Sequence, residues 1–217
     1  MLGPPHAAFA AEQAPSPPPQ VTAVPDLTAR RFLYLQSLLD SERQRAAVWT
    51  WSWVTTYGAV TAAQVAIAAT IADKNTRTDL IIGSVSSLIG ALGLAVIPLS
   101  IPTADGLPAD ATGLKVAERL LHEGANKEAF GVSWMAQVGN FAVNLVIALI
   151  MGVGYKHWES AGISFGAGVA LGEITIFTRP VRLMETQKLW DAGLLSSLTV
   201  QPQISDKQGG LALSLAW

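Results

Sequence analysis

The sequence contains no cysteine. Disulfides, thiolate metal sites and thiol nucleophiles are therefore excluded, and compartment is left open. Charge is scarce as well. Only 14% of the 217 residues are Asp, Glu, Lys or Arg, against roughly a quarter in soluble domains. The net charge of −2 gives no basic field for nucleic acid, so no nucleic-acid partner is expected. The three histidines, His6, His122 and His157, are far apart, and none stands in a metal-ligand spacing such as HExxH. No paired intramembrane carboxylate or phosphate-cradling loop is present. The chain is accordingly expected to be a non-enzyme with no metal and no cofactor.

What is abundant is apolar surface. Half of the residues are hydrophobic, and the mean hydropathy is +0.36. Residues 46–72, 80–104 and 129–155 carry no charge over 27, 25 and 27 positions. A helix needs about 20 apolar residues to cross a hydrocarbon core of about 30 Å, and soluble helices show a charged face every turn or two. A fourth run, 160–178, has 19 residues and one charge, Glu173. The reading is an all-α membrane protein with four transmembrane helices at about 47–72, 80–101, 130–154 and 160–178. Trp49, Trp51 and Trp53 open the first run, Trp134 the third, and Tyr155 and Trp158 flank the last short loop. Amphipathic aromatics favour the headgroup region.

Short polar links at 73–79 and 156–159 force antiparallel neighbours, which makes two tandem αα-hairpins. Each hairpin is preceded by an amphipathic segment, expected as a surface helix. In 27–46, Leu27, Phe32, Leu35, Leu38 and Leu39 recur at helical spacing. Asp26 stands at the N-cap position, and Glu42 falls among the residues counted as polar surface. The second segment, 114–128, follows a turn-rich stretch. Matches at an offset of 81 or 82 suggest an internal repeat: Leu38-Leu39 with Leu120-Leu121, Trp53 with Trp134, Gly58 with Gly139, Gly90 with Gly172, and Pro98 with Pro180.

Residues 1–26 form a Pro/Ala-rich leader whose composition favours disorder. The membrane domain spans 27–198, and 199–217 is expected as a loop and a short apolar tail. In that tail, Leu211, Leu213, Leu215 and Trp217 alternate with small residues in a strand-like period. Four crossings place the leader, middle loop and tail on one side, which holds 11 of the 14 basic residues. The positive-inside rule assigns that side to the cytoplasm. The alternative is that Ala8-Phe9-Ala10 ends a cleaved signal, which would export both termini.

Inside the membrane, Gln137, Asn140 and Asn144 share a helix face at i, i+3 and i+7. An amide in lipid needs a partner, so this face is expected to turn inward. Glu173 is expected to meet it at similar depth, with Thr55 and Thr56 on the first span, where Gln64 also adds polarity. A carboxylate within a span is a functional candidate by default. Small residues recur at i, i+4 in Gly83, Ser87 and Ala91, in Gly162, Gly166 and Ala170, and in Gly168 and Gly172. That spacing permits close helix approach. The expected partners are the lipid bilayer and, through these faces, a second copy or other membrane proteins. The expected role is a structural or assembly component. The rival is a small transporter or channel built around Glu173.

Overall fold

In this computed structural model, the structure describes residues 26–195, together with the backbone of 199–205 and 208–214. The leader lies outside the described residues, apart from Asp26. The helices are α1 (Leu27–Thr70), α2 (Lys74–Val96), α3 (Ala111–Gly131), α4 (Trp134–Leu149), α5 (Trp158–Phe177) and α6 (Arg182–Asp191). A π turn, Ile150–Gly154, extends α4. β1 (Thr199–Ser205) and β2 (Gln208–Ser214) pair antiparallel, with Thr199 opposite Ser214. The strand-like period at the C-terminus thus acquires a partner where the sequence suggests a loop. A single strand leaves its backbone groups unpaired, and a second strand satisfies them.

The amphipathic segment and the first apolar run are not two helices. They form one helix of 44 residues, about 66 Å at 1.5 Å per residue. No glycine or proline interrupts 27–57, so nothing stops the helix where its surroundings change. Asp26 sits at the N-cap without a side-chain bond. The turn after α1 is fixed from both sides. Arg77 donates from Nη2 to the Ile71 carbonyl at 3.0 Å, and the Asp73 carboxylate accepts from the Thr76 N–H at 2.7 Å. α2 ends earlier than expected because Pro98 disfavours helix at the preceding residue, and Ile97 leaves the helical region (φ −122°, ψ 67°). Leu99 and Ile101, expected within the second span, are instead buried in a helical core.

That core is built mainly from residues outside the long apolar runs and from the ends of two of them. It gathers Phe32, Leu35, Leu38 and Leu39 of α1, Ala117, Leu121 and Ala125 of α3, Leu183 of α6, and Leu99, Ile101 and Ala104 of the middle connection. The two amphipathic segments therefore bury their apolar faces together with α6, rather than lying separately on a bilayer. Trp49 also joins this core, at 8% exposure, so it is not part of an aromatic belt. Trp51, Trp134, Tyr155 and Trp158 do remain exposed.

The apolar runs show the opposite pattern. Large side chains such as Val85, Leu88, Leu92, Phe141, Val146 and Ile163 are exposed, while small or polar ones (Ser84, Ser87, Ala91, Ala161 and Thr175) are buried. A soluble protein does not present apolar surface on this scale. Lipid accounts for it. Three helical stretches are long and apolar enough to cross a membrane: Lys74–Val96, Trp158–Phe177 and the apolar end of Ala111–Gly154. The fourth run of the sequence, the shortest, is among them. α1 is not. Its apolar half contains no leucine and several polar residues, and it packs along α2, as α4 does along α5.

The two kinds of packing should respond differently to truncation. Leu39→Ala opens a cavity in the external core and should cost about 2–5 kcal/mol. Leu92→Ala, on an exposed face, should cost less than about 1 kcal/mol. Thermal unfolding of the detergent-solubilised protein checks both.

Candidate functional site

Two polar clusters lie on either side of the span ends. The first is within the apolar runs. Asn140 of α4 donates from Nδ2 to the Glu173 carboxylate and to the Val169 carbonyl of α5, both at 3.1 Å. Asn144 donates to the Asn140 carbonyl and to its side-chain oxygen, both at 2.9 Å. Glu173, Asn140 and Asn144 are thus brought together, as their spacing suggests. Gly168 and Gly172 make the approach possible. A Cβ at Gly168 would strike the Asn144 amide, and one at Gly172 the Asn140 amide.

The other candidates are elsewhere. Gln137 is exposed in the first turn of α4. Thr55 and Thr56 are exposed on α1, and Thr56 bonds back to the Ser52 carbonyl at 2.9 Å. α1 instead reaches α5 through Tyr57, whose hydroxyl lies 3.1 Å from that of Thr175. Gln64 belongs to the α1–α2 contact. It accepts from Ser87 at 3.4 Å and rests on Gly83, while Ala91 is buried in the same helix. Gly162 and Gly166 face open space.

The second cluster was not legible as a site. Glu42 and Glu128 are both fully buried at 0% exposure. Glu42, expected on the polar surface, instead faces Arg45 at 3.4 Å and Arg182 at 3.5 Å through one carboxylate oxygen. Glu128 accepts the Met184 N–H at 3.0 Å. The second oxygen of each carboxylate, and the buried Thr50 hydroxyl, have no partner among the described residues. A signal did exist: Glu42 falls in phase with Leu35, Leu38, Leu39 and Ala46, and Glu128 with Ala117, Leu121 and Ala125. A carboxylate inside an apolar stripe is buried with it.

Burial raises the Glu128 carboxyl from an ordinary 4.5 to about 7. The Met184 N–H opposes this, and the nearby Glu42 charge adds to it. Arg179 closes the group. Its guanidinium stacks on Trp49, 5.2 Å from the ring centre. Burial lowers its pKa, while Glu128 pulls it back up. Trp49 and Trp53 both donate to the Thr178 hydroxyl, at 3.2 and 3.1 Å, which ties α1 to the end of α5. At the opposite ends of the spans, His157 and Asp79 meet at 2.5 Å and join the start of α5 to the first turns of α2. The arrangement can exchange a proton at Glu128 near neutral pH. It presents no nucleophile and no metal-ligand set among the described residues.

The folded protein holds a proton on Glu128 that the unfolded chain releases. Stability should therefore fall as pH rises from about 4.5 to about 7, then level off. Glu128→Gln keeps an acceptor for Met184 and should flatten that slope in a series of melting curves against pH. Within the spans, Gly172→Ala should displace Asn140 and lower the melting temperature, while Gly166→Ala should leave it unchanged.

Comparison with protein-family models, curated proteins and solved structures finds no match for this chain.

Proposed function

We propose that the chain is a four-span membrane protein of two antiparallel hairpins that serves as a non-enzymatic structural or assembly component. Its termini, middle loop and external helical core would lie on the cytoplasmic side, which carries 11 of the 14 basic residues. The first crossing is the apolar half of α1. Too polar to stand alone, it is supported by its packing on α2 and by its tight polar turn. The two hairpins are read as copies of one unit. Leu39 and Leu121, 82 positions apart, share the external core, as do Ile101 and Leu183.

One observation carries the assembly reading. The polar side chains inside the spans bond to one another: Asn140 to Glu173, Asn144 to Asn140, Gln64 to Ser87, and Tyr57 to Thr175. Such bonds hold helices together in lipid, whereas a conduction path needs groups that exchange partners with an ion or water. Gly162 and Gly166 leave a small-residue face of α5 open to another helix. The transport reading keeps one point in its favour: Asn140 and Thr175 also line a cavity between the hairpins.

The absence of cysteine makes both questions accessible. Asp105→Cys and Ala192→Cys should label from one side of sealed vesicles, and Asn75→Cys and Lys156→Cys from the other. All four positions are exposed. Labelling of all four from one side would overturn the four-span topology. Gly162→Cys should give disulfide-linked dimers in the membrane if this face assembles with a second copy. Proton flux in liposomes that vanishes in Glu173→Gln would instead establish transport.

A further inference from the structure

A cavity of about 760 Å³ opens where the two hairpins meet, at the ends of the spans nearest the external core. Its walls are apolar. Ile89, Leu94 and Ile97 come from the α2 side, and Phe130 and Ile176 from the other. Ile89, Ile97 and Phe130 are exposed, so these walls continue onto surface that lipid would cover. The volume falls within the range of small-ligand sites, roughly 300–1,000 Å³.

Its polar end is cationic. Arg179 lines the cavity immediately after the last turn of α5, at the depth of the headgroups. Its guanidinium lies over the Trp49 ring, and its Nε is buried with no hydrogen-bond partner. No acceptor for this guanidinium is found among the described residues. Its electrostatic neighbour is Glu128, whose raised pKa leaves that carboxyl partly protonated at neutral pH. Lys127 stands at the rim beside Glu123, with which it pairs at 3.0 Å. That exposed pair is weak and can open toward a stronger acceptor. A preoriented guanidinium donates bidentately to phosphate. Deeper in the cavity, Tyr57 and Thr175 already bond to each other, so the depth makes few polar demands on an occupant.

We propose that this cavity holds one anionic phospholipid, its phosphate on Arg179 with Lys127 beside it and an acyl chain between the two hairpins. A free anion would satisfy Arg179 but leave the apolar walls uncovered. A neutral lipid would cover the walls but leave the guanidinium without a counter-charge. The proposal rests on the membrane reading, and its test separates the two.

The full-length protein, in an uncharged maltoside detergent, is titrated with dioctanoyl phosphatidylglycerol, dioctanoyl phosphatidylcholine and inorganic phosphate. Native mass spectrometry counts what is bound, and fluorescence follows Trp49 and its neighbours. One phosphatidylglycerol per chain is expected, about tenfold tighter than phosphatidylcholine, the order of one charge-assisted contact. Arg179→Gln should remove that preference and leave phosphatidylcholine binding unchanged. Gly93→Leu places a side chain in the cavity where nothing obstructs it, and should weaken both lipids without unfolding the protein. Equal affinity for the two lipids overturns the proposal, as does a preference that survives Arg179→Gln or phosphate binding as tight as the lipid's. Separately, membranes containing the protein are washed with alkaline carbonate. Release into the supernatant would defeat the membrane reading itself, while retention without a headgroup preference defeats only the lipid site.

Discussion

The packing of α1 on α3 and α6 outside the apolar runs organises the rest of the molecule. Leu35, Leu39, Leu121 and Leu183 lie in one dry cluster with no measurable exposure, and each comes from a stretch of chain that leads directly into an apolar run or out of one. In water, burying such side chains contributes about 1.5–3 kcal/mol each. Within lipid the hydrophobic driving force between helices vanishes, because the surroundings are as apolar as the side chains. The chain therefore places its aqueous-type core where that force operates and lets it set the spacing of the span roots. Inside the apolar runs, glycine-against-amide contacts and hydrogen bonds take over. Asn140 and Asn144 settle over Gly172 and Gly168, and Gln64 over Gly83.

Two carboxylates run against this economy. Glu42 and Glu128 are fully enclosed, and each leaves one oxygen without a partner among the described residues. Buried charges of this kind are costly unless paired and bonded. Glu42 has two arginines, whereas Glu128 has a backbone N–H and a more distant Arg179. The consequence differs accordingly: Glu128 is driven toward its neutral form, and Arg179 keeps donors to spare. The contact between the α1–α2 pair and the α4–α5 pair runs through Trp49, Trp53 and Thr178 and through Tyr57 with Thr175 toward one end, and through His157 with Asp79 at the other. The cavity opens beside the first of these ties, with Trp49, Tyr57 and Thr175 in its lining. Arg179, whose guanidinium lies over Trp49 of the external core, also lines the space beside it.

Much of this is legible along the chain. Long uncharged runs mark the apolar segments, because a single charge in lipid costs kilocalories. Polar links of a few residues mark the turns, and the i, i+3, i+7 spacing marks the amide face of α4. Where sequence and structure part, the causes are physical. Trp49 reads with its neighbours as an interfacial aromatic because adjacency in sequence says nothing about which side of a helix faces a core. Leu99 and Ile101 read as the end of a span because an apolar residue looks alike whether lipid or protein covers it. Gln137 shares a face with Asn140 by spacing but stands exposed in the first turn of α4.

The sequence by itself determined the class of the protein: a chain with this little charge, set outside such long apolar runs, can satisfy its backbone in lipid only as helices. It also determined where the chain turns, through Asp73, Pro98 and the short polar links. Only the tertiary structure decided that α1 is one helix running unbroken from the external core into the first apolar run, and that the amphipathic stretches cover each other. It alone decided that Glu42 and Glu128 lie inside the cluster they interrupt. Helical periodicity assigns residues to a face, but the identity of what covers that face comes from elements far along the chain, 56 positions for Glu128 and Met184 and 140 for Glu42 and Arg182. Those long-range contacts separate a surface carboxylate from a buried one, and a lipid-facing arginine from one poised over a cavity.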